Sequence, residues 1–494
     1  MSGKPSVRGS RAAQASTSTQ KHRRAVVIGG SMVGMAVARA VSDHFDEVFV
    51  IDKDHFPRDA PDHRKSVPQS WHIHNLTLRG QREIEELLPG FVETAVGLGA
   101  MQIDHALDVA AFTSLGWEPR FESGFIALSA TRILLEFAQR QRFFELVKNA
   151  VVLEGTRVTS LVVEAEGKTR RAVAVTTDNA EHKEIRADLI IDCAGRSSSW
   201  KSWLKSHDVP LPKETLVDSR CGYSSRFYRP RDPSTFNWKA LIVDAVCPDL
   251  PQWGVIVPLE NNDWVVTLGG FNDQFPPGDE KGFMEFARKL PTPSYYEALQ
   301  QADPLTEVRT FRKLEMRWNH FENYDHPLQG FMVLGDAAWA YNPLYGQGMS
   351  IGTTCARILR DVLDEDADLS SLPFRFYPRA KKFAWDPWEA TALMDMRWPK
   401  TSGKRPWHSK ITIPVTAFVL DAGHYDEYLY LGMLQAIHLL KQPSELLSLR
   451  SVYGVLRYAV RRLLSLLPPL NTLPSPPAPT RSVSQASGTS VALR

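Results

Sequence analysis

The sequence predicts an α/β fold, an α+β composite in detail. A Rossmann-type nucleotide-binding domain carries an inserted β-sheet substrate lobe and ends in a helical C-terminal region. Three observations carry this expectation. A βαβ unit with a glycine-rich turn opens near Arg24. A β-rich stretch punctuated by Pro, Asn and Gly follows Asp218. A second strand then ends in Gly335-Asp336 and runs into a glycine-flanked helix start, about 300 residues after the first turn.

In chain order, Ala25–Ile28 is a β-branched run closed by Gly29-Gly30, the pattern of a buried parallel strand. Residues 32–44 read as a helix with small residues on its packing face, and 47–52 as a second strand ending in Asp52. A polar stretch (57–68) precedes an amphipathic helix over 77–88. A strand end and helix are expected over 127–142, antiparallel strands over 151–165 and 171–177, and a buried strand over 187–195. The lobe is expected at 218–325, with strands near 240–246, 254–258 and 263–270. This divides the chain into a basic, structureless leader (1–23), two parts of the nucleotide domain (24–217 and 326–384) around the lobe, a helical region (385–467) and a structureless Pro/Ser-rich tail (468–494).

The totals exclude several classes. The 494 residues are 43% hydrophobic and 23% charged, with a formal net charge of +2, so nothing in the average points to nucleic acid. Cys193, Cys221, Cys247 and Cys355 form no C-x-x-C pair, which reads as a reduced, cytoplasmic protein without structural zinc. No apolar run reaches the roughly 20 residues of a membrane span. The stretch 446–467 is apolar with interspersed Arg450, Arg457, Arg461 and Arg462, and no acid follows Glu445. It reads foremost as a core helix with snorkelling arginines, and alternatively as a helix in peripheral contact with a membrane.

Gly29-Gly-Ser-Met-Val-Gly34 suits a dinucleotide pyrophosphate, which needs a sharp turn and bare N–H groups at a helix N-terminus. Gly29 supplies the turn and Gly34 lets helix and strand pack closely; Ser31 stands where a second glycine is usual. Asp52, 18 residues beyond Gly34, is placed to accept hydrogen bonds from a ribose, as in FAD or NAD. Asp336 at a strand end can accept from the hydroxyls of a sugar or ribitol chain. Pro343, Gly346 and Gly348 then form a rigid turn with close backbone approach before a helix dipole. His72 and His74 lack a third clustered ligand, so no metal site is expected; they read as a pocket wall.

With these motifs stand Ser66-Val-Pro-Gln-Ser-Trp-His-Ile-His-Asn75, Asp192-Cys-Ala-Gly-Arg196 and the run from Gly335 to Ser350. Together, over most of residues 24–465, they resemble FAD-dependent monooxygenases of the para-hydroxybenzoate hydroxylase superfamily, nearest the polyether epoxidase branch related to squalene epoxidase. The resemblance implies FAD, with NADPH or NADH as reductant. It places Gly29, Ser31, Gly34 and Asp52 around adenosine and pyrophosphate, Arg132 on the cofactor and Asp192 near FAD and nicotinamide. Asp336 would lie at the ribitol, and Gly346 and Gly348 at the flavin ring. Ser31 and Cys193-Ala194 depart from the family pattern. The implied activity inserts one oxygen from O2, through a C4a-hydroperoxyflavin, into a hydrophobic secondary-metabolite intermediate by epoxidation or hydroxylation. The flavin carries that chemistry, so no catalytic triad is required. An FAD-dependent reductase of isoprenoid double bonds, a phenol hydroxylase and a separate flavin reductase as partner stay open. A Trp-x-Trp-x-Ile-Pro halogenase motif is not found.

Overall fold

A computed structural model of the chain describes residues 22–166, 169–312, 314–446, 448–464, 466, 473 and 475–479. Most of the expected leader, and the tail beyond 479, lie outside the described residues. At the centre is a five-stranded parallel sheet in the order Phe331–Val333, Leu189–Asp192, Arg24–Ile28, Glu47–Ile51, Ala150–Leu153. Ala25, Val26, Val27, Ile190 and Ile191 are fully buried, as expected of strands covered on both faces. Each such Val or Ile contributes about 1.5–3 kcal/mol of burial. Helix Met32–Ser42 crosses one face and packs on the long helix Gly348–Glu365. The contact is close: a Cβ on Gly352 would lie 2.4 Å from Val33 Cγ2.

The lobe is an eight-stranded sheet in the order Ala302–Pro304, Gly222–Pro230, Trp264–Gly270, Gln252–Pro258, Ala240–Val243, Val109–Thr113, Gly116–Trp117, with Arg309–Phe311 beside Gly222–Pro230. Two of its strands come from the part of the chain expected to belong wholly to the nucleotide domain. Val109–Thr113 pairs in parallel with Ala240–Val243, a partner about 130 residues away that leaves no local signal. Helices Glu280–Arg288 and Ser294–Gln300 cover its outer face, where only strands were expected.

The expected boundary at 384/385 falls inside one helix, Leu372–Asp395, which accommodates Pro378 and Pro387 in its interior. Part of the tail lies against the lobe. Trp117 donates to Leu473 O at 2.8 Å and Asn237 to Pro476 O at 2.9 Å, so the tail residues 473 and 476 are held against the lobe where composition suggested a structureless segment.

Helices Ser409–Gly423, Glu427–Ile437 and Leu449–Leu463 close the C-terminal region. The last of these overturns the core-helix expectation. Only Gly454 and Tyr458 are buried, whereas Leu449, Tyr453, Leu456 and Leu463 are 92%, 65%, 59% and 83% exposed. Its apolar stripe faces outward. Among the described residues no helix is long and apolar enough to cross a membrane.

Candidate active site

The C-terminal ends of the central strands open on a cleft of about 450 Å³. At one end lies the first turn. Gly29 has φ +97°, and a Cβ there would sit 2.9 Å from Cys193 O. A Cβ on Gly34 would fall 1.7 Å from Gly29 O, so Gly34 sits in the strand–helix contact and is not itself part of the cleft wall. No side chain caps helix Met32–Ser42, which leaves its first-turn N–H groups for a ligand.

Ser31 lines the cleft, and its Oγ is engaged with the protein. It donates to Glu136 Oε1 at 2.6 Å and accepts from Arg132 Nη2 at 2.7 Å. Glu136 also accepts from Arg132 Nε (2.8 Å), Arg64 Nη2 (2.8 Å) and Arg140 Nη1 (3.3 Å). Burial pushes the Glu136 carboxyl up, but Arg132, Arg64 and Arg140 outweigh it and hold it well below the carboxylate range. Asp52 accepts from Gly30 N (2.7 Å) and Arg64 Nη1 (3.2 Å) through Oδ2, and from Asp54 N (2.9 Å) through Oδ1. Three of its roughly four acceptor sites are thus used on the protein, leaving about one for a ribose hydroxyl. Three guanidiniums face two carboxylates here, so the cluster carries one net positive charge beside the turn.

At the other end, Gly335 (φ +64°) turns the chain so that Asp336 enters the cleft, 40% exposed, with Arg196 Nε 3.5 Å away. Arg196 is held by Glu315 O (2.7 Å) and Tyr341 O. Asn342 Oδ1 accepts from Leu344 N at 3.1 Å and shapes the turn through Pro343. Gly346 has φ +64°, and a Cβ there would meet Asn75 Cβ at 2.8 Å; one on Gly348 would lie 3.3 Å from Asp336 Oδ1. No side chain caps the 18-residue helix that follows. Beneath the turn is buried Asp395, which accepts from Asn342 Nδ2 (2.9 Å) and Tyr345 OH (2.8 Å). Burial pushes its carboxyl up to about 6, against the hydrogen bonds from Asn342, Tyr345 and Ser219.

Facing that turn are Ile73, His74 and Asn75, with Tyr223 and Phe311 from the lobe. The two histidines part company. His72 Nδ1 bonds Ser225 Oγ at 2.8 Å, while His74 lies on the cleft wall with Nδ1 3.0 Å from His72 O. Burial lowers His72 to about 4; burial, then Arg132, lowers His74 to about 3. Both are neutral at pH 7, and among the described residues no three metal-ligating side chains gather.

Asp192 stands apart from the other expected residues. It is fully buried behind the cleft wall, accepting from Ala194 N (2.8 Å) and Ser198 Oγ, and so shapes the Cys193–Ser199 turn from within. Burial pushes its carboxyl up to about 6. Gly29, Ser31, Asp52, Arg132, Asp336, Pro343, Gly346 and Gly348 all line the one cleft. Arg64, Glu136, Asn75 and Asp395 were not singled out from sequence. Arg132, Glu136 and Arg140 stand at i, i+4 and i+8 of one helix, a signal that could have revealed the buried carboxylate.

The residues fit an extended dinucleotide with a flat ring system. Arg64 Nε and Gln347 Oε1 are buried without a hydrogen-bond partner among the described residues, one at each end of the cleft. Positive charge gathers at the pyrophosphate end, and bare backbone at the ring end.

No family model matches the chain. Protein Rv3254 of Mycobacterium tuberculosis is 31% identical over 352 residues, spanning 69% of this chain and 72% of the relative. The chain belongs to the same family as Protein Rv3254. Menaquinone reductase of the same species is 26% identical over 360 residues, covering 70% of this chain and 78% of that protein. Among solved structures, the flavin-dependent brominase Bmp2 superposes with a TM-score of 0.62 at 13% identity, covering 90% of this chain and all of that one. PqsL, a probable FAD-dependent monooxygenase from Pseudomonas aeruginosa, gives 0.55 at 12% identity, covering 76% and 97%. The chain shares the overall fold of these two flavin-dependent proteins.

Proposed function

We propose that the chain is an FAD-dependent monooxygenase that inserts one oxygen atom of O2 into a hydrophobic secondary-metabolite intermediate, by epoxidation or hydroxylation, with NADPH or NADH as reductant. The observation that carries this reading is the single cleft running from the Gly29–Gly34 turn to the Asn342–Gly348 turn, where the lobe presents apolar and aromatic groups. Bound FAD, once reduced, would supply the electrons that activate O2, the source of the transferred oxygen. The protein's own part is to bind, orient and dry the site. Arg64, Arg132 and the open helix N-terminus would hold the pyrophosphate, Asp52 and Asp336 the two sugar-like hydroxyl groups, and the backbone at 346–348 the ring. Tyr223, Phe311 and Ile73 exclude water from the reacting edge. His74, held neutral, adds no charge there.

The test is FAD-loaded protein given NADPH or NADH, O2 and a panel of alkenes and phenols, with products weighed by mass spectrometry. A gain of one oxygen is expected. A gain of two hydrogens would overturn the reading in favour of a double-bond reductase, the alternative favoured by the menaquinone reductase relative.

We also propose that Leu449–Leu463 contacts an anionic membrane surface. Its outward stripe of Leu449, Tyr453, Leu456 and Leu463 is flanked by Arg450, Arg457 and Arg461, and no acid follows Glu445. Sedimentation with phosphatidylglycerol vesicles should retain the protein, weaken with salt, and fall at least tenfold in L456E/L463E. Equal retention by phosphatidylcholine alone, or by the double variant, would refute it.

A further inference from the structure

The lobe gives the cofactor cleft two residues. Among the described residues of 218–325, only Tyr223 and Phe311 line it. Phe311 is apolar, so the Tyr223 hydroxyl is the one polar side-chain group that the lobe brings to the cleft. The other polar side chains of the lining stand on segments of the nucleotide domain.

Tyr223 is held from several sides. It sits in strand Gly222–Pro230, paired with Gly269 on one neighbouring strand and Phe311 on another. Its carbonyl accepts from Arg312 Nη1 at 3.0 Å. The ring stacks on Phe311, with centroids 5.6 Å apart and planes at 25°, and stands T-shaped to His72 at 4.9 Å. Leu344 of the ring-end turn packs in the same apolar cluster. Only 4% of the residue is exposed. Packing this close leaves the side chain little freedom, so the position of its hydroxyl is fixed before any ligand arrives.

That hydroxyl is unused by the protein. Among the described residues it makes no hydrogen bond, and it is not one of the polar atoms sealed inside the fold. The tyrosines of the ring-end turn behave differently: Tyr341 donates to Ala384 O at 2.6 Å and Tyr345 to Asp395 Oδ1 at 2.8 Å. Burial, then Cys221, push the Tyr223 phenol up, with Arg196 of the ring end opposing, so it keeps its proton at pH 7 and is a donor. An enclosed donor without an acceptor is costly, and here an occupant of the cleft has to supply one. The cofactor's polar groups are served by the Gly29–Gly34 turn, Asp52, Asp336 and the backbone at 346–348, all in the nucleotide domain. The lobe side is left to the substrate. A single donor in an apolar wall is matched by a group that only accepts: a carbonyl oxygen satisfies it and brings no donor of its own to be buried.

We propose that the Tyr223 hydroxyl donates a hydrogen bond to a carbonyl oxygen of an otherwise apolar substrate lying against Phe311 and Ile73, and that this bond selects the substrate. The proposal deepens the monooxygenase reading and rests on it for giving the lobe wall to the substrate, but the selection is read by binding alone. One neutral hydrogen bond in an enclosed site shifts affinity by about tenfold.

The experiment titrates FAD-loaded wild type and Tyr223→Phe, without reductant, with two matched pairs: α-tetralone and tetralin, and geranylacetone and the diene in which its C=O is CH2. Perturbation of the bound flavin's absorbance reports binding at the ring end. Wild type should bind at least one ketone about tenfold tighter than its hydrocarbon. Tyr223→Phe should bind the two members of that pair alike, with the hydrocarbon's affinity unchanged. No preference for either ketone in wild type, binding of neither ketone, or a preference undiminished in Tyr223→Phe overturns the proposal. Two ligand-free measurements on the same variant separate the other uses of the hydroxyl. Its FAD affinity and its melting temperature should match wild type; a tenfold loss of FAD affinity would give the hydroxyl to the cofactor, and a clear fall in melting temperature would give it to the protein, and either overturns the proposal. NAD(P)H and O2 consumption, measured separately on the same preparations, reports on the monooxygenase reading whichever way the binding falls.

Discussion

Replacing Glu136 by Gln should be among the most damaging single changes in the nucleotide half of the molecule. The carboxylate is 4% exposed and accepts four hydrogen bonds, three of them from guanidiniums. Glutamine keeps one acceptor oxygen and turns an NH2 towards cations. Removing one member of a buried charge network typically costs about 3–5 kcal/mol, because the remaining charges stay buried and unpaired. The entropy of unfolding is about 2.1 cal/mol/K per residue, or roughly 1 kcal/mol/K for a chain of this size, so the melting temperature should fall by about 3–5 °C if unfolding is cooperative. The pH dependence is a second check. Glu136 is held below its ordinary value, so its stabilisation is present above the unfolded carboxylate range and is lost only as pH falls through its depressed folded value. The gap between wild type and E136Q should therefore be flat from pH 6 to pH 8. Differential scanning fluorimetry across that range measures both quantities. A shift under 1 °C, or a gap that closes as pH rises from 6 to 8, would refute the claim that this carboxylate organises the three arginines.

Two further outcomes follow from the ring end. Asp336→Ala should weaken FAD binding by about 10–100-fold, the worth of one hydrogen bond to a charged group; an unchanged Kd by fluorescence titration would mean that Asp336 is not a cofactor ligand. Asp395 is raised to about 6, so its folded form holds a proton that the unfolded chain releases near pH 4, and its contribution to stability is lost as pH rises through that window. Asp395→Asn should flatten part of this slope in denaturation curves between pH 4 and 7. Asp192, also raised to about 6, should keep the rest, and an unaltered slope would refute the assignment.

What was legible in the sequence was whatever has a local cause. The Gly29 and Gly335 turns need positive φ and the central strands need unbroken apolar runs, so composition over a few residues reveals them. The lobe's true membership was not legible, because Val109–Thr113 is fixed by a parallel partner far along the chain. The boundary at 384/385 was not legible either, because helix Leu372–Asp395 runs through it and carries Pro378 and Pro387 in its interior. The helix at 449–463 misled for a different reason: an apolar period says that one face is special, not whether that face points inward.

The same distinction bears on Ser31. Judged by motif, a serine in place of glycine weakens a pyrophosphate site, since a Cβ there crowds the backbone approach. In the fold its hydroxyl is engaged by Glu136 and Arg132. The side chain therefore leaves the N–H groups of the turn uncovered and fastens the turn to the arginine cluster behind it. Arg64 couples that cluster to Asp52, and Asp52 in turn holds Gly30 N. The departure from glycine and the buried carboxylate at 136 are thus two parts of one device: Ser31 gives up freedom that glycine would have kept, and the network gains a link between the turn, the second strand and helix Arg132–Leu146. A glycine at 31 would fit the motif better and leave Glu136 with one fewer donor, which is why the residue has to be read together with its buried neighbours.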